Sequence, residues 1–307
     1  MTTSSSTPAP SPAPSPASSA PSAASAPSPS VLVLGGTGKT GRRVAAKLAA
    51  LGVPAAVASR RPGAGRVRFD WTDPASWAPA LKGVRAVYVV DSEGPDAPEQ
   101  VRAFGRLAAE LGVERLVLLS ARTWSELPDP DGTLLATERA VRDAGPEWTI
   151  LRPSWFAQNF TEAEWLAPLL AEGELRLPAG EGREPFLDLD DLADVAVAAL
   201  TEEGHAGRVY DLTGPRALTF HEVVAEISRA SGRTVTYTPV TDDEFRTEMA
   251  GRGLPAEVTE VLIQLYGHIG RDGSAKPGDG VREALGREPR EFADYAGRAD
   301  FAGPGTA

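Results

Sequence analysis

Short unbroken apolar runs alternate with stretches of helical period along most of the chain. Val31, Leu32, Val33 and Leu34 form the first run, and a glycine cluster follows it at once. Consecutive apolar residues bounded by a turn signal predict a short buried strand. Beyond the glycines, Val44, Leu48 and Leu51 share one helical face, and Gly52 is placed to end that helix. The alternation then repeats. Residues 54–58, 67–69, 86–90, 116–119 and 148–151 read as further strands. Between them, Thr72 or Asp73 can cap a helix that has Pro74 in its first position. Val101, Phe104, Ala108 and Leu111 mark the buried face of another helix, stopped by Gly112, and a third spans residues 134–143, with Gly145 after it. Strands alternating with helices predict an α/β fold with a doubly wound parallel sheet.

The pattern loosens after residue 160. Residues 161–188 read as a mobile cover over a site. An alanine-rich helix follows Asp194, and residues 209–212 suit one more strand. Thr219 and Glu222 make a capping box for a helix reaching Ala230. A last strand is expected over 234–239, then helices over 255–268 and 281–285. The expected organisation is a nucleotide-binding core over 31–160. Residues 161–307 add a remaining sheet strand and a small, mostly helical substrate lobe. The first 30 residues are almost entirely Ala, Pro and Ser, without charge or aromatic residue. They are expected to be a disordered tail, since they cannot bury enough apolar surface to fold. With no basic region and no apolar run, the tail is not a secretory signal.

Composition narrows the function classes. The net charge of −11 lies wholly outside the tail, which argues against direct nucleic-acid binding. No apolar run approaches the length of a membrane span, and a cytoplasmic protein is expected. The absence of cysteine excludes disulfides, a thiol nucleophile and thiolate metal sites. His205, His221 and His268 stand far apart, without partners at ligand spacing, so no metal is expected. Asp188, Asp190 and Asp191 are close carboxylates, but acids are favoured at a helix N-terminus by capping and dipole alone.

The glycine cluster carries the first chemical signal. It satisfies both Gly36-x-Gly38-x-x-Gly41 and the wider Gly35-x-x-Gly38-x-x-Gly41. One glycine makes the tight turn, another lets the backbone approach a pyrophosphate, and the last lets helix and strand pack closely. Free N–H groups and a positive dipole end then face the phosphates. Thr37, Lys39 and Thr40 belong to the same candidate site. Two other readings compete: a glycine-rich turn that binds nothing, and a P-loop ending at Gly38, Lys39 and Thr40. A P-loop needs a glycine five residues before Gly38, where this chain has Val33.

The end of the second strand bears on which dinucleotide is bound. An NAD site usually places an acid there for the ribose hydroxyl. No Asp or Glu occurs between Gly41 and Asp70; Ser59, Arg60 and Arg61 arrive together instead. A fork of guanidinium groups beside a hydroxyl suits a 2′-phosphate, hence NADP(H) in preference to NAD(H); a solvated basic turn is the plain alternative. Asp70 is a candidate for the adenine amino group, or simply a turn acid, with Trp71 and Val90 as further cofactor neighbours. Ser120, at the end of the fifth strand, points toward a nicotinamide region or is a strand-end turn residue. Trp124, Pro153, Trp155 and Phe156 could wall a cofactor and substrate pocket, though the aromatics serve equally well as core.

The motifs VLVLGGTGKTGRR (31–43), FDW (69–71), LRPSWFAQNF (151–160) and PFLDLDDLAD (185–194) together resemble the NmrA-like branch of the atypical short-chain dehydrogenase/reductases. The form GGTGKT looks most like bacterial relatives of the ergot-alkaloid festuclavine and agroclavine dehydrogenases. The resemblance covers nearly everything after the tail. It implies a Rossmann-like fold that binds NADP(H). Some members of this family reduce quinones, iminium ions or benzylic ethers, and others act as redox sensors on a regulatory protein partner. One departure matters: no tyrosine is followed four residues later by lysine, the pair that usually moves the alcohol proton. The expected function is therefore an NADPH-dependent oxidoreductase acting on a small planar electrophile. The alternatives are a non-catalytic NADP(H) sensor and an epimerase or dehydratase, the last of which also usually needs the tyrosine.

Overall fold

The computed structural model describes Met1, residues 30–61, Gly63 and residues 65–301. Residues 2–29 of the expected tail, and Pro62 at the expected end of the second strand, lie outside the described residues. The strands are β1 (Val31–Val33), β2 (Ala55–Ser59), β3 (Arg66–Arg68), β4 (Ala86–Val89), β5 (Arg115–Leu119), β6 (Glu147–Pro153), β7 (Glu174–Leu177), β8 (Arg183–Glu184), β9 (Arg208–Leu212), β10 (Leu218–Thr219) and β11 (Thr236–Pro239). Seven of them form one sheet in the order β3-β2-β1-β4-β5-β6-β9, with every neighbouring pair parallel. The chain winds outward from β1 in both directions, so the strand order reverses between β1 and β4. In open α/β sheets ligands bind at this switch point, beyond the carboxyl ends of the strands.

Side chains alternate across the sheet because the strand period is two. Leu32, Leu34, Val87, Val89, Leu116 and Leu118 face one layer, packed with Trp77, Val101, Phe104 and Val141. Val31, Val33, Tyr88, Val117 and Leu151 face the other, against Val44 and Leu48 of helix α1 (Lys39–Ala50) and Leu189, Leu192 and Ala196 of the alanine-rich helix Leu189–Thr201. Both sheet faces are covered, and this is why the strands read as continuous apolar runs.

The local stop signals act largely as expected. Gly52 adopts φ +69° and donates to Ala49 O at 3.0 Å, while Val53 donates to Leu48 O at 2.9 Å, a left-handed C-terminal cap. Leu51, expected on the buried face, is 65% exposed, because α1 ends one residue earlier and Leu51 is its cap. Asp73, rather than Thr72, caps the turn at Pro74, accepting from Ala75 N–H at 3.2 Å. β6 runs on through Pro153, two residues past the expected end at 151, and Pro153 pairs with Leu212.

The largest departure concerns residues 161–188. They form the helix Ala167–Glu172 and strands β7 and β8, and Leu169, Leu170, Leu175 and Leu177 are buried. Their apolar side chains belong to a third core with Phe160, Phe186, Phe220 and Phe292. The expected last strand is β11, but it joins β7 in parallel instead of the main sheet. The capping box forms, with Glu222 N–H donating to Thr219 Oγ1 and Thr219 N–H to Glu222 at 3.1 and 2.8 Å. The close acids after residue 187 are paired with basic residues: Asp194 with Lys47 at 2.6 Å, Asp191 with Arg287 at 2.7 Å and with Arg290, and Asp188 with Arg298. Among the described residues no helix is long and apolar enough to cross a membrane.

Phe186 packs edge-on or tilted against Phe160, Phe220 and Phe292. Phe186→Ala is expected to destabilise the chain by about 3–5 kcal/mol, read as a lower urea midpoint at unchanged slope. A loss below ~1 kcal/mol would contradict this account of the third core.

Candidate functional site

The glycine loop lies at the switch point, between β1 and α1. Gly35 has φ +59°, and Gly38 donates its N–H to Gly35 O at 2.9 Å. A Cβ on Gly41 would stand 2.4 Å from Gly35 O and 2.8 Å from Gly36 Cα; one on Gly36 would stand 2.5 Å from Val57 Cγ1. Loop, β2 and α1 therefore fit only because these side chains are missing. Gly38 is the extended N-cap of α1, no side chain caps the helix, and no acid stands in its first turn. The first N–H groups of α1 are thus left to an external partner. This cradle fits a dinucleotide pyrophosphate.

The remaining loop residues divide. Gly35, Thr37 and Gly38 are exposed, while Thr40 is buried and turned inward. Lys39 reaches away from the loop, donating to Asn159 Oδ1 at 3.0 Å; burial lowers its pKa. Arg42 and Arg43 pair with Glu162 at 2.6 and 2.7 Å. Burial works to raise the Glu162 pKa, but the two guanidinium groups outweigh it and hold the carboxyl below its usual range.

Ser59, Arg60 and Arg61 lie together at the end of β2, with both arginines exposed and Ser59 Oγ accepting from Arg61 N–H at 3.3 Å. Asp70 accepts from the Thr72 N–H and hydroxyl at 2.9 and 2.8 Å, which holds its carboxyl low and makes it a turn acid. Trp71 donates to Val90 O at 2.9 Å and packs edge-on against Phe69, Trp77 and Phe104. The Val90 side chain backs the loop, since a Cβ on Gly35 would lie 3.1 Å from it.

Ser120 follows β5 and donates its hydroxyl to Glu138 Oε1 at 2.8 Å. Glu138 is 1% exposed and also receives Arg152 Nε and Nη2, both at 2.8 Å, and Arg142 Nη2 at 3.2 Å. Trp124 is half-buried on the helix Arg122–Glu126, directly after Ser120. After β6, Phe156 packs into the sheet core, and half-buried Trp155 stacks at a tilt on Tyr266, with ring centroids 4.9 Å apart. The Trp155 N–H donates to Glu184 Oε1 at 3.2 Å. Sequence reasoning missed Arg122, Glu138 and Glu184. Nothing in their sequence neighbourhoods separates them from the charges of a solvated face. A separate surface cavity of about 460 Å³, lined by Glu202, His205, Arg208, Tyr210 and Glu283, lies at the start of β9, at the opposite edge of the sheet.

With this geometry, the comparisons are consistent. The chain belongs to the NAD(P)H-binding family, whose sequence profile matches residues 35–203. It is 32% identical to an agroclavine dehydrogenase of Claviceps fusiformis, over 87% of this chain and 96% of that one. It is similar to the triphenylmethane reductase of Citrobacter in complex with NADP(H), with a TM-score of 0.75 at 26% identity, over 87% of this chain and 99% of that one. It is likewise similar to an NADPH-dependent quinone oxidoreductase of Escherichia coli in complex with NADPH, with a TM-score of 0.76 at 25% identity, over 87% and 99% of the two chains.

Gly41→Ala tests the cradle. The added methyl displaces the Gly35 carbonyl or the start of α1, and dinucleotide affinity should fall at least about tenfold, near 1.4 kcal/mol. Titration followed by tryptophan fluorescence reads the change, and unchanged affinity would contradict the placement.

Proposed function

We propose that the chain uses NADPH in preference to NADH and reduces a small planar electrophile, such as a quinone, enone or imine. The observation that carries this reading is the set of groups after β2 and β5. At β2, exposed Arg60 and Arg61 stand beside Ser59, where an acid would select NADH. At β5, the hydroxyl of Ser120 is already a donor into the arginine-paired Glu138. Alcohol–ketone chemistry needs a group at this position free to give and take the alcohol proton; an electron-poor conjugated acceptor needs none at Ser120.

Bound NADPH supplies the hydride. The glycine loop and the α1 N-terminus hold its pyrophosphate, and Arg60 and Arg61 hold its 2′-phosphate. Glu138 fixes the rotamer of Ser120 by accepting a hydrogen bond from its hydroxyl. Trp124 and Trp155 offer flat walls for a conjugated acceptor and keep water from it, so positioning and desolvation supply most of the rate. Relatives named for quinones and for a triphenylmethane dye support a flat, conjugated acceptor.

Arg60→Ala with Arg61→Ala should weaken NADPH binding roughly 10- to 150-fold, the worth of a charged hydrogen bond, and leave NADH binding in place. An equal loss for both cofactors would contradict the 2′-phosphate assignment. NADPH oxidation over a panel of quinones, enones and iminium ions tests the reaction. Tight NADPH binding with no turnover above the uncatalysed rate would overturn the reductase and favour a sensor.

A further inference from the structure

A second polar cluster stands behind Trp155. Glu184 is 1% exposed; its Oε1 accepts the Trp155 N–H at 3.2 Å, and its Oε2 has no partner. Arg122 opens the helix after β5 and is 9% exposed. Its Nε pairs with Glu126 Oε1 at 2.8 Å, and its Nη1 is buried without a partner. The two side chains are close enough to interact electrostatically but do not hydrogen-bond. A buried polar atom with no partner is costly. Two of them on neighbouring side chains call for an occupant that pairs with both.

The protonation state decides what that occupant is. Burial pushes the Glu184 carboxyl up to about 8, against the pull of the Trp155 N–H and Arg122 and with the push of Glu126. Behind Glu126 stand His268, at 3.3 Å, and Ser274; Leu218, opposite Glu184 on β10, brings no charge. At neutral pH the carboxyl is an acid. With Oε1 accepting from Trp155, the proton sits on Oε2. Arg122 Nη1 and Glu184 Oε2 are then two donors, the arrangement suited to an oxygen that gains negative charge.

We propose that Arg122 and Glu184 form the subsite for the carbonyl oxygen of the acceptor, with Glu184 the acid that completes its reduction. The proposal rests on the reductase reading above. In the step, a C–H bond of NADPH breaks and hydride adds to the β-carbon of an enone or quinone. The π electrons move onto the carbonyl oxygen, held by Arg122. The O–H bond of Glu184 breaks and its proton passes to that oxygen. The products are NADP⁺ and an enol, which for a quinone tautomerises to the hydroquinone. The Glu184 carboxylate regains its proton from water. An iminium ion needs no such proton, because hydride alone neutralises it.

The test compares a quinone with a preformed iminium ion, using wild type and Glu184→Gln. Glutamine keeps an acceptor for the Trp155 N–H and has no proton to give. The ratio of quinone to iminium turnover should fall roughly 100-fold, the usual worth of a general acid. Wild-type quinone turnover should decline as pH rises through about 8, where the acid is lost, and the variant should not show that step. An equal fall with both acceptors, or a pH step that survives in the variant, would overturn the proposal. A separate arm needs no turnover: binding of a hydroquinone to wild type and Arg122→Gln, followed by tryptophan fluorescence. Loss of one charged hydrogen bond should weaken it about tenfold or more, and unchanged binding would overturn the subsite. Failure of wild type to reduce either acceptor would instead overturn the reductase reading, and the binding arm would still decide the subsite.

Discussion

The close approach of α1 to the loop before it governs the rest of the molecule. Gly41 brings the first turn of the helix against the Gly35 carbonyl, and Gly36 lets the loop lie on Val57 of β2. Any side chain at either position would separate elements that the sheet needs in contact. This approach also leaves the α1 N–H groups without a side-chain cap and with no acid in the helix's own first turn, so one packing constraint shapes both the core and a cradle suited to an anion. The same helix reaches the segment after β6 through Lys39 on Asn159 and through Arg42 and Arg43 on Glu162. That segment is thus held in register with the glycine loop.

Around this frame the charges are divided by task. Arg60 and Arg61 stand exposed at the end of β2. The acids of the alanine-rich helix are matched by Lys47, Arg287 and Arg290. Glu138 ties β5, β6 and the helix Ala136–Arg142 together through Ser120, Arg152 and Arg142. Glu184 departs from this pattern: it is a buried carboxyl that accepts one backbone N–H and leaves its other oxygen unmatched, as Asp211 leaves Oδ1.

Much of the sheet was legible in the chain because its central strands β1, β4 and β5 are buried on both faces and read as apolar runs. The glycine loop was legible because backbone crowding, rather than side-chain chemistry, dictates its residues. Gly52 was readable as a helix stop for the same reason. Leu51 misled because periodicity does not say where a helix ends. Residues 161–188 misled because their order comes from burial against the helix Phe220–Ser231 and β11, both far along the chain. Glu138, Arg122 and Glu184 were illegible because each meets its neighbours only in the folded chain. In the sequence they are indistinguishable from surface charges.

A single-turnover experiment tests the central claim most directly. The protein is loaded with one equivalent of NADPH, mixed rapidly with a quinone, and followed by the loss of reduced-nicotinamide absorbance. The account predicts a decay much faster than that of free NADPH with the same quinone, and slower when the loop carries Gly41→Ala. A decay no faster than that of free NADPH, with the cofactor demonstrably bound, would contradict it.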